Sequence, residues 1–351
     1  MPRNGKNTTA VALSGGIDSL VSAFLLKQQG VDIFGVHFIT GYESAAGQTD
    51  PQPRIDHLSR MLGIPVHAID IRETFENRVV NYFVKTYMSG KTPNPCVCCN
   101  REIKFGIMLD YARSLGAVRL ATGHYARTEK TQAGRWTLKK GLDPGKDQSY
   151  FLGMLDSSQL AQTCFPLGEK SKNEVRHIAQ QNNLQPFAAK ESQDICFIKG
   201  ISCQDFLEAR LHRRFDSGDI VDANGKGIGR HQGLFRYTIG QRRGINCPGP
   251  HPYYVLDIDV RQNRLVVGFK EELYKNGCSV AGVNWIFPRP AGPVNVSARI
   301  RYRHKAAPSV LTPSGGHFAK LEFIRPQAAV TPGQAAVCYQ GDAVVAAGWI
   351  E

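Results

Sequence analysis

Along the first two hundred residues, continuous apolar runs alternate with stretches whose apolar positions recur every three or four residues. TTAVAL (8–13), VDIFGVHF (31–38), IPVHAID (64–70) and VRLATGHYA (118–126) read as buried parallel strands. Between them, DSLVSAFLLKQQG and RIDHLSRMLG carry helical spacing and end in glycine. A β-α-β succession of this kind predicts a doubly wound parallel sheet, an α/β fold. After about residue 205 the texture changes. Short alternating runs sit between Gly, Pro and Asn turns, YYVLDID-VRQN-RLVVGF reads as a hairpin, and VNVSARIRYRH, FAKLEFI and QAAVCYQ-GD-AVVAAGWI all have period two. The expected division is 1–204 for an α/β domain, 205–275 for a small β-rich domain, and 276–351 for a β-barrel or sandwich.

Composition supports this. Of 351 residues, 42 % are apolar and 21 % charged, enough for packed cores and too balanced for a disordered chain. No apolar run reaches the roughly 18 residues that a membrane span needs. The basic opening stretch breaks at glycines and lacks a signal-peptide core, so a cytoplasmic protein with no membrane association is expected. Nine cysteines without disulfide spacing also suit a reducing compartment. The net charge of +13 is uneven: residues 1–100 hold +1, 101–200 hold +5 and 201–351 hold +7. A polyanion partner for the later two-thirds is one reading, an ordinary basic protein the other.

Ser14-Gly15-Gly16-Ile17-Asp18-Ser19 joins the first strand to the first helix. Glycines there let backbone N–H groups close around an anion at the positive helix end, and Asp18 can hold Mg²⁺ against phosphate oxygens. A plain tight turn is the alternative. No lysine follows the glycines, so this is not the nucleoside-triphosphate loop G-x-x-x-x-G-K-[ST]. In its strand–loop–helix setting S-G-G-x-D-S resembles the PP-loop of ATP pyrophosphatases, which split ATP between its α and β phosphates and adenylate a substrate oxygen.

Further stretches extend the resemblance: TPNPCVCCNREIKF (92–105), ATGHYAR (121–127), GKDQSYFL (145–152), ESQDICFI (191–198), FRYTIGQRRG (235–244), RIRYRH (299–304) and TPGQAAV (331–337). In this order they resemble the tRNA-specific 2-thiouridylases, over almost the whole chain. That resemblance implies ATP-dependent replacement of the 2-oxygen of the wobble uridine by sulfur, with ATP and Mg²⁺ as cofactors. It implies tRNA and a sulfur-donor protein, a cysteine desulfurase or persulfide relay, as partners of a monomeric enzyme. It assigns Ala12, Leu13, Ser14, Gly15, Gly16, Ile17, Asp18, Ser19, Phe38 and Gly123 to the ATP site. Cys99 takes the place of the nucleophile and Cys196 that of the persulfide carrier. Asn94, Pro95 and Cys96 stand where the target base is met; His124, Lys146, Asp147, Gln148, Arg301, Tyr302 and Gln334 stand where tRNA is contacted.

The chemistry fits these residue types. A uracil carbonyl is a poor electrophile until its oxygen is adenylated, and the sulfur must arrive as persulfide or sulfide, since donating a cysteine's own sulfur destroys it. A thiolate nucleophile needs nearby positive charge, for which Arg101 and Lys104 are the sequence-near candidates. Plainer roles compete: Cys196 between Ile195 and Phe197 as a buried thiol, His124 as a loop cap closing a strand, RYRH as a solvated strand face.

Two departures from the family pattern stand out. Cys96 replaces an aspartate, giving Cys96-x-x-Cys99 with Cys196 far downstream. This set is similar to that of another group of tRNA thiolases, whose three cysteines hold a 4Fe–4S cluster with one open iron. The trio is therefore read as cluster ligands (Cys96, Cys99, Cys196), as a persulfide pair with a resolving thiol, or as zinc-binding or plain thiols. Cys98 is expected to alternate away from its neighbours in an extended segment and to serve packing. The second departure is ITGYESAAGQTDPQP (39–53), which lacks the family's acidic, tryptophan-containing character. The rival functions are a PP-loop ligase adenylating a small molecule, and an RNA-binding relative, inert or thiolating another RNA.

Overall fold

The computed structural model describes residues 8–43, 50–187, 195–211 and 216–351. They form two compact units. One comprises Met1–Val79, Cys96–Lys199 and Asp342–Val345, the other Val80–Pro95, Gly200–Gly341 and Ala346–Glu351.

In the first unit the apolar runs become parallel strands β1 (Thr9–Ala12), β2 (Ile33–Ile39), β3 (Val66–Asp70) and β4 (Arg119–Ala121). A hairpin follows, β5 (Ala126–Lys130) and β6 (Trp136–Lys140), then the short parallel strand β7 (Thr163–Cys164). The sheet order is β3-β2-β1-β4-β7. The chain runs outward from β1 through β2 to β3 and then returns to the other side of β1. The doubly wound sheet therefore has its switch point between β1 and β4, and the crevice beyond their C-terminal ends is where such sheets bind ligands. Strand spacing is tight at Gly35, where a Cβ would come within 2.4 Å of Leu13 Cδ1 and 2.9 Å of Val66 Cγ2.

Helix α1 (Ile17–Gln28) buries Leu20, Val21, Ala23 and Leu26. Helix α2 (Gln52–Leu62) adds Leu58 and Leu62, and the helix Lys172–Gln181 adds Val175 and Ala179 to the same apolar cluster. Burying these stripes at about 25 cal/mol per Å² is what fixes the helices on the sheet.

One strand reading needs correction. Residues 118–126 are not one strand: β4 stops at Ala121, and Thr122–Tyr125 turn out of the sheet before β5 begins. The turn is held by a 2.7 Å hydrogen bond between Thr122 Oγ1 and His124 Nδ1, and Gly123 lets it pass close to α1.

In the second unit, β8 (Gly218–Val221), β9 (Gly227–His231), β10 (Tyr254–Asp259) and β11 (Arg264–Gly268) form a sheet of order β10-β11-β8-β9, including the expected β10–β11 hairpin. The remaining strands are β12 (Tyr274–Trp285), β13 (Val294–Arg299), β14 (Ala307–Ser314), β15 (Phe318–Ala328), β16 (Ala335–Gln340) and β17 (Ala343–Ile350). They run β12-β15-β14-β13-β16-β17, and β17 pairs back onto β12 (Val280↔Ile350) to close a six-stranded antiparallel barrel. Closure removes the free sheet edges. The RYRH reading also changes: β13 ends at Arg299, and the His304 amide donates to the Arg301 carbonyl at 3.1 Å, making a turn rather than a strand face.

Candidate active site

The glycine loop leaves β1 after the Leu13 amide makes its last sheet bond, to the Val36 carbonyl at 2.9 Å. Gly15 then takes φ +82°, a conformation natural to glycine. Ser14 Oγ accepts from the Gly16 amide at 3.3 Å, and Ser19 Oγ donates to the Gly16 carbonyl at 2.8 Å. Gly16 opens α1 with no side-chain cap, so the amides of the first turn face the loop ready for an anion. Gly123 packs so close to α1 that a Cβ would lie 2.9 Å from the Asp18 carbonyl carbon and 3.0 Å from the Ser19 amide nitrogen. The structure thus brings Ala12–Ser19 and Gly123 together. Phe38 lies along β2, its ring stacked on that of His37 with centroids 6.5 Å apart. His37 Nδ1 meets the Leu13 carbonyl at 2.6 Å, and burial lowers the pKa of the ring.

Three groups at this loop escaped the sequence reading. Lys172 Nζ donates to both carboxylate oxygens of Asp18, at 2.7 and 2.9 Å. The Tyr125 hydroxyl donates to Asp18 Oδ1 at 2.8 Å. Arg54 on α2 lies over the Phe187 ring at 4.8 Å, and its Cδ is within 3.8 Å of where a Cβ on Gly15 would sit. The signal for Lys172 was a charge in an apolar stripe: Lys172, Val175 and Ala179 share the buried helix face. Asp18 remains about one-third exposed in its side chain, so a carboxylate oxygen can serve Mg²⁺ held against phosphates in the loop.

The cysteine segment is helical, not extended. Pro95 starts a helix Pro95–Cys99, which runs on as a π-helix over Asn100–Met108. Proline is favoured in a first helical turn, where its missing N–H costs nothing. Helical spacing puts Cys96 and Cys99 on one face. Cys98 does point elsewhere, its Sγ donating to the Arg78 carbonyl at 3.4 Å, with burial pushing its thiol up to about 12. Cys196 is exposed while its neighbours Phe197 and Ile198 are buried, which removes the buried-thiol reading. Phe197 anchors it, packing against Phe75 and Tyr42 at 5.9 Å each. The remainder of ESQDICFI, residues 191–194, lies outside the described residues.

Cys96, Cys99 and Cys196 lie near enough to act on one another electrostatically, and Lys104 is the cation that acts on all three. Burial raises the Cys99 thiol strongly and pushes Cys196 up to about 11, with Lys104 opposing in both cases. Cys96 and Cys196 are exposed, yet the surrounding protein desolvates both and raises their thiols. Among the described residues, no three His, Cys, Asp or Glu side chains converge to hold a metal ion. The cysteine trio therefore does not match a ready cluster site, and no step is derived through one.

The other candidate positions divide by unit. In the first, His124 is 9 % exposed, packed between Phe105 and Phe165 at 6.0 Å each, and burial takes its pKa well below the ordinary range. Asp147 Oδ1 accepts from the amides of Gly141 and Ser149, and Gln148 Oε1 from that of Tyr125. Lys146 is half-buried in the same loop. His124, Asp147 and Gln148 thus organise backbone from inside. In the second unit, Gln334 Nε2 donates to the carbonyls of Thr92 and Pro93 at 3.1 and 3.0 Å, and Asn94 Nδ2 lies 3.5 Å from Gln334 Oε1. Pro95 is buried beside them in sequence. Arg301 is exposed and reaches the Ala328 and Ala329 carbonyls at 3.5 Å; Tyr302 is half-buried.

The tRNA methyl transferase HUP domain matches residues 7–200, the tRNA methyl transferase PRC-barrel domain 204–269, and the aminomethyltransferase beta-barrel domain 275–350. A tRNA-specific 2-thiouridylase MnmA of Desulfosudis oleivorans is 51 % identical over 97 % of this chain and 94 % of its own length. One from Geotalea uraniireducens is 42 % identical over 99 % of this chain and 96 % of its own. The solved U34-tRNA thiolase NcsA of Methanococcus maripaludis, with its 4Fe–4S cluster, is 17 % identical and overlays 59 % of this chain and 65 % of its own at a TM-score of 0.36, too loosely to bring anything across. No helix among the described residues is long and apolar enough to cross a membrane. With its full length matched, from the glycine loop to the closing barrel, the chain belongs to the tRNA-specific 2-thiouridylase family.

Proposed function

We propose that this chain catalyses ATP-dependent 2-thiolation of the wobble uridine of tRNA, with Cys196 carrying the sulfur as a persulfide and Cys99 as the resolving nucleophile. The observation that carries the assignment is the exposure of Cys196 beside the buried pair Phe197 and Ile198, within electrostatic range of Cys99 and Lys104. The loop from Ala12 to Ser19 would hold the ATP polyphosphate, with Asp18 serving Mg²⁺, which screens phosphate charge when bound. Uracil O2 attacks the α-phosphorus and pyrophosphate departs with the electron pair. The terminal persulfide sulfur on Cys196 then attacks C2, expelling AMP. The Cys99 thiolate attacks Cys196 Sγ, releasing 2-thiouridine and leaving a Cys99–Cys196 disulfide that a thiol reductant resets.

The partners under this reading are tRNA and a persulfide-bearing donor protein, and the enzyme works in the cytoplasm as a monomer. Residues 1–204, 205–275 and 276–351 serve as catalytic, linking and tRNA-contacting parts. The net charge of +13, concentrated after residue 100, supports a polyanionic substrate and binding that weakens steeply with salt. The rival of a small-molecule ligase gains nothing from the cysteine pair or the basic β-rich half.

The test is anaerobic purification, iron and labile-sulfide analysis, then thiolation of tRNA with a persulfide donor. Iron-free protein that makes 2-thiouridine, and loses it in Cys196→Ser and Cys99→Ser, is expected. Roughly four irons per chain, lost with any of Cys96, Cys99 or Cys196, would replace the persulfide route with a cluster-bound sulfide.

A further inference from the structure

We propose that His37 is a nucleoside-binding residue: its Nε2 accepts a hydrogen bond from the adenosine part of ATP and tells this nucleotide from analogues that lack the donor. The inference rests on the ATP-dependent reading above and adds a side chain that neither the glycine loop nor the sequence motifs supply.

His37 lies near the C-terminal end of β2, the strand beside β1, where the crevice of the sheet opens. Its Nδ1 is 2.6 Å from the carbonyl oxygen of Leu13, the residue directly before the glycine loop. A carbonyl only accepts, so Nδ1 carries the proton and Nε2 keeps a lone pair. Burial lowers the pKa of the ring, which keeps it neutral at pH 7 and preserves that arrangement. The residue is 4 % exposed, and Nε2 has no hydrogen-bond partner among the described residues. Two charged groups act on the ring, Arg54 against its protonation and Glu43 for it. Arg54 reaches the glycine loop, its Cδ 3.8 Å from where a Cβ on Gly15 would sit. Glu43 belongs to the loop after β2, where its carboxylate accepts from the amides of Thr40 and Gly41 at 2.6 and 3.0 Å. The ring is thus within reach of both loops that border the crevice, and its outer nitrogen is unfilled.

An ordinary core side chain explains this poorly. A buried imidazole nitrogen without a donor bears a desolvation cost that valine or phenylalanine, its neighbours at 36 and 38, would avoid. Ionised phosphate oxygens cannot satisfy Nε2, because they too only accept. It needs an O–H or N–H, and on ATP these are the two ribose hydroxyls and the exocyclic amine of adenine. With the phosphates on the amides of α1, the nucleoside lies along the strand ends, where Nε2 waits. A nucleotide that brings the donor relieves the unpaired nitrogen. One that lacks it leaves the nitrogen buried and unpaired, and that difference is the source of discrimination.

Calorimetric binding of ATP, 2′-deoxy-ATP, 3′-deoxy-ATP and purine riboside triphosphate to wild type, His37→Phe and His37→Gln, all without tRNA, tests this independently of turnover. Wild type is expected to bind one of the analogues roughly threefold to tenfold more weakly than ATP, the scale of one neutral hydrogen bond. The analogue that loses affinity names the donor. His37→Phe keeps a ring and loses the acceptor; its preference for ATP over that analogue is expected to shrink to within about twofold. His37→Gln, with an acceptor near the place of Nε2, is expected to recover part of the preference. A preference that survives in His37→Phe, with or without a uniform loss of all the nucleotides, would mark a packing role and overturn the proposal. So would a wild type that binds all of them alike. A further readout needs no variant: in wild type labelled with ¹⁵N-histidine, the Nε2 resonance of His37 is expected to move upfield as ATP is added and the lone pair takes a hydrogen bond. No movement at saturating ATP overturns the proposal even where the variants do not fold. Failure of wild type to bind any of these nucleotides overturns the ATP reading itself, whereas ATP binding that leaves Nε2 unmoved overturns only the role of His37.

Discussion

Gln159 donates its side-chain amide to the Phe105 carbonyl at 2.8 Å, and to that of Arg101 at 3.0 Å, so one side chain spans the π-helix behind the cysteines. The other end of the same amide is used as well: Gln159 Oε1 accepts from the Asp156 amide at 3.1 Å, in the capping box of the helix Ser157–Ala161. A π-helix displaces the normal i to i−4 ladder and leaves carbonyls in need of donors. Gln159 supplies one, and in doing so sets the turn that carries Lys104.

Replacing Gln159 with leucine therefore exposes two functions to measurement. Leaving a carbonyl unpaired costs about 1–3 kcal/mol in chemical denaturation. Thiolation is expected to fall about tenfold or more as Lys104 and Cys99 lose their register, because small displacements of reacting groups are costly. ATP affinity is expected to stay within about twofold. Gln159→Glu keeps the cap acceptor but removes the donor, and is expected to copy the thiolation defect. Full activity in both variants would show that the π-helix does not depend on this bond.

The pH dependence of the thiols follows from burial. Cys196 is pushed up to about 11 and Cys99 is raised further, so at neutral pH both are mostly protonated in the resting enzyme. A raised thiol pKa means that the reactive thiolate keeps growing with pH beyond the ordinary thiol range near 8.5. Alkylation of Cys196 by iodoacetamide is expected to rise about tenfold per pH unit from pH 7 to 9 without a plateau. Lys104→Met removes a cation that opposes burial at both thiols, leaving Lys199 to act on Cys196 alone, raises both thiols further, and is expected to slow alkylation at pH 8 several-fold. A plateau near pH 8.5 in wild type would rule this account out.

Much of this was written in the sequence because it depends on local chemistry. The glycine loop needs residues that tolerate Gly15 at φ +82°, and the parallel strands need unbroken apolar runs; both leave a direct trace. The hairpin β10–β11 and the barrel strands were legible as alternation. What stayed hidden was set by contacts between distant segments. The Cys96–Cys99 stretch looks extended because prolines flank it, yet Pro95 starts a helix that Gln159, some sixty residues later, supports. Lys172 is 154 residues from the carboxylate it holds, and only its place in a buried stripe hinted at it. His124, placed among the tRNA-contacting positions only by resemblance, is enclosed by Phe105 and Phe165, a setting that single-sequence patterns do not reveal.

Gly123 offers a sharper test of the nucleotide site. A methyl group there would come within 3.0 Å of the Asp18 Cβ and closer still to its carbonyl carbon. Backbone cannot yield as a flexible side chain can, so Gly123→Ala is expected to push the first turn of α1 away from β4. Overpacking of this kind costs about 1–3 kcal/mol. Because the displaced turn is the one that presents amides to phosphate, ATP affinity is expected to drop about tenfold or more. Intrinsic tRNA affinity measured without ATP is expected to be unaffected. Equal ATP affinity in wild type and variant would place the nucleotide elsewhere.

In the second unit, Gln334 does for residues 92–94 what Gln159 does for the π-helix. Its Nε2 holds the Thr92 and Pro93 carbonyls, and its Oε1 faces Asn94 Nδ2 at 3.5 Å. Gly333, at φ +88°, brings the segment close enough that a Cβ would lie 2.8 Å from the Thr92 carbonyl oxygen, and the Thr92 amide donates to Pro332 at 2.9 Å. Two motifs some 240 residues apart are thus one structural element. Gln334→Leu keeps the bulk but removes every polar contact, leaving two carbonyls unpaired at about 1–3 kcal/mol. If the joined element presents the target base, the variant should bind ATP and pyrophosphate as wild type does, while kcat/KM for tRNA thiolation falls about tenfold or more. Gln334→Glu, which can accept from Asn94 but cannot donate to the two carbonyls, should sit with leucine rather than with wild type. Wild-type kcat/KM in the leucine variant would mean that residues 92–94 hold their shape through the backbone bond to Pro332 alone.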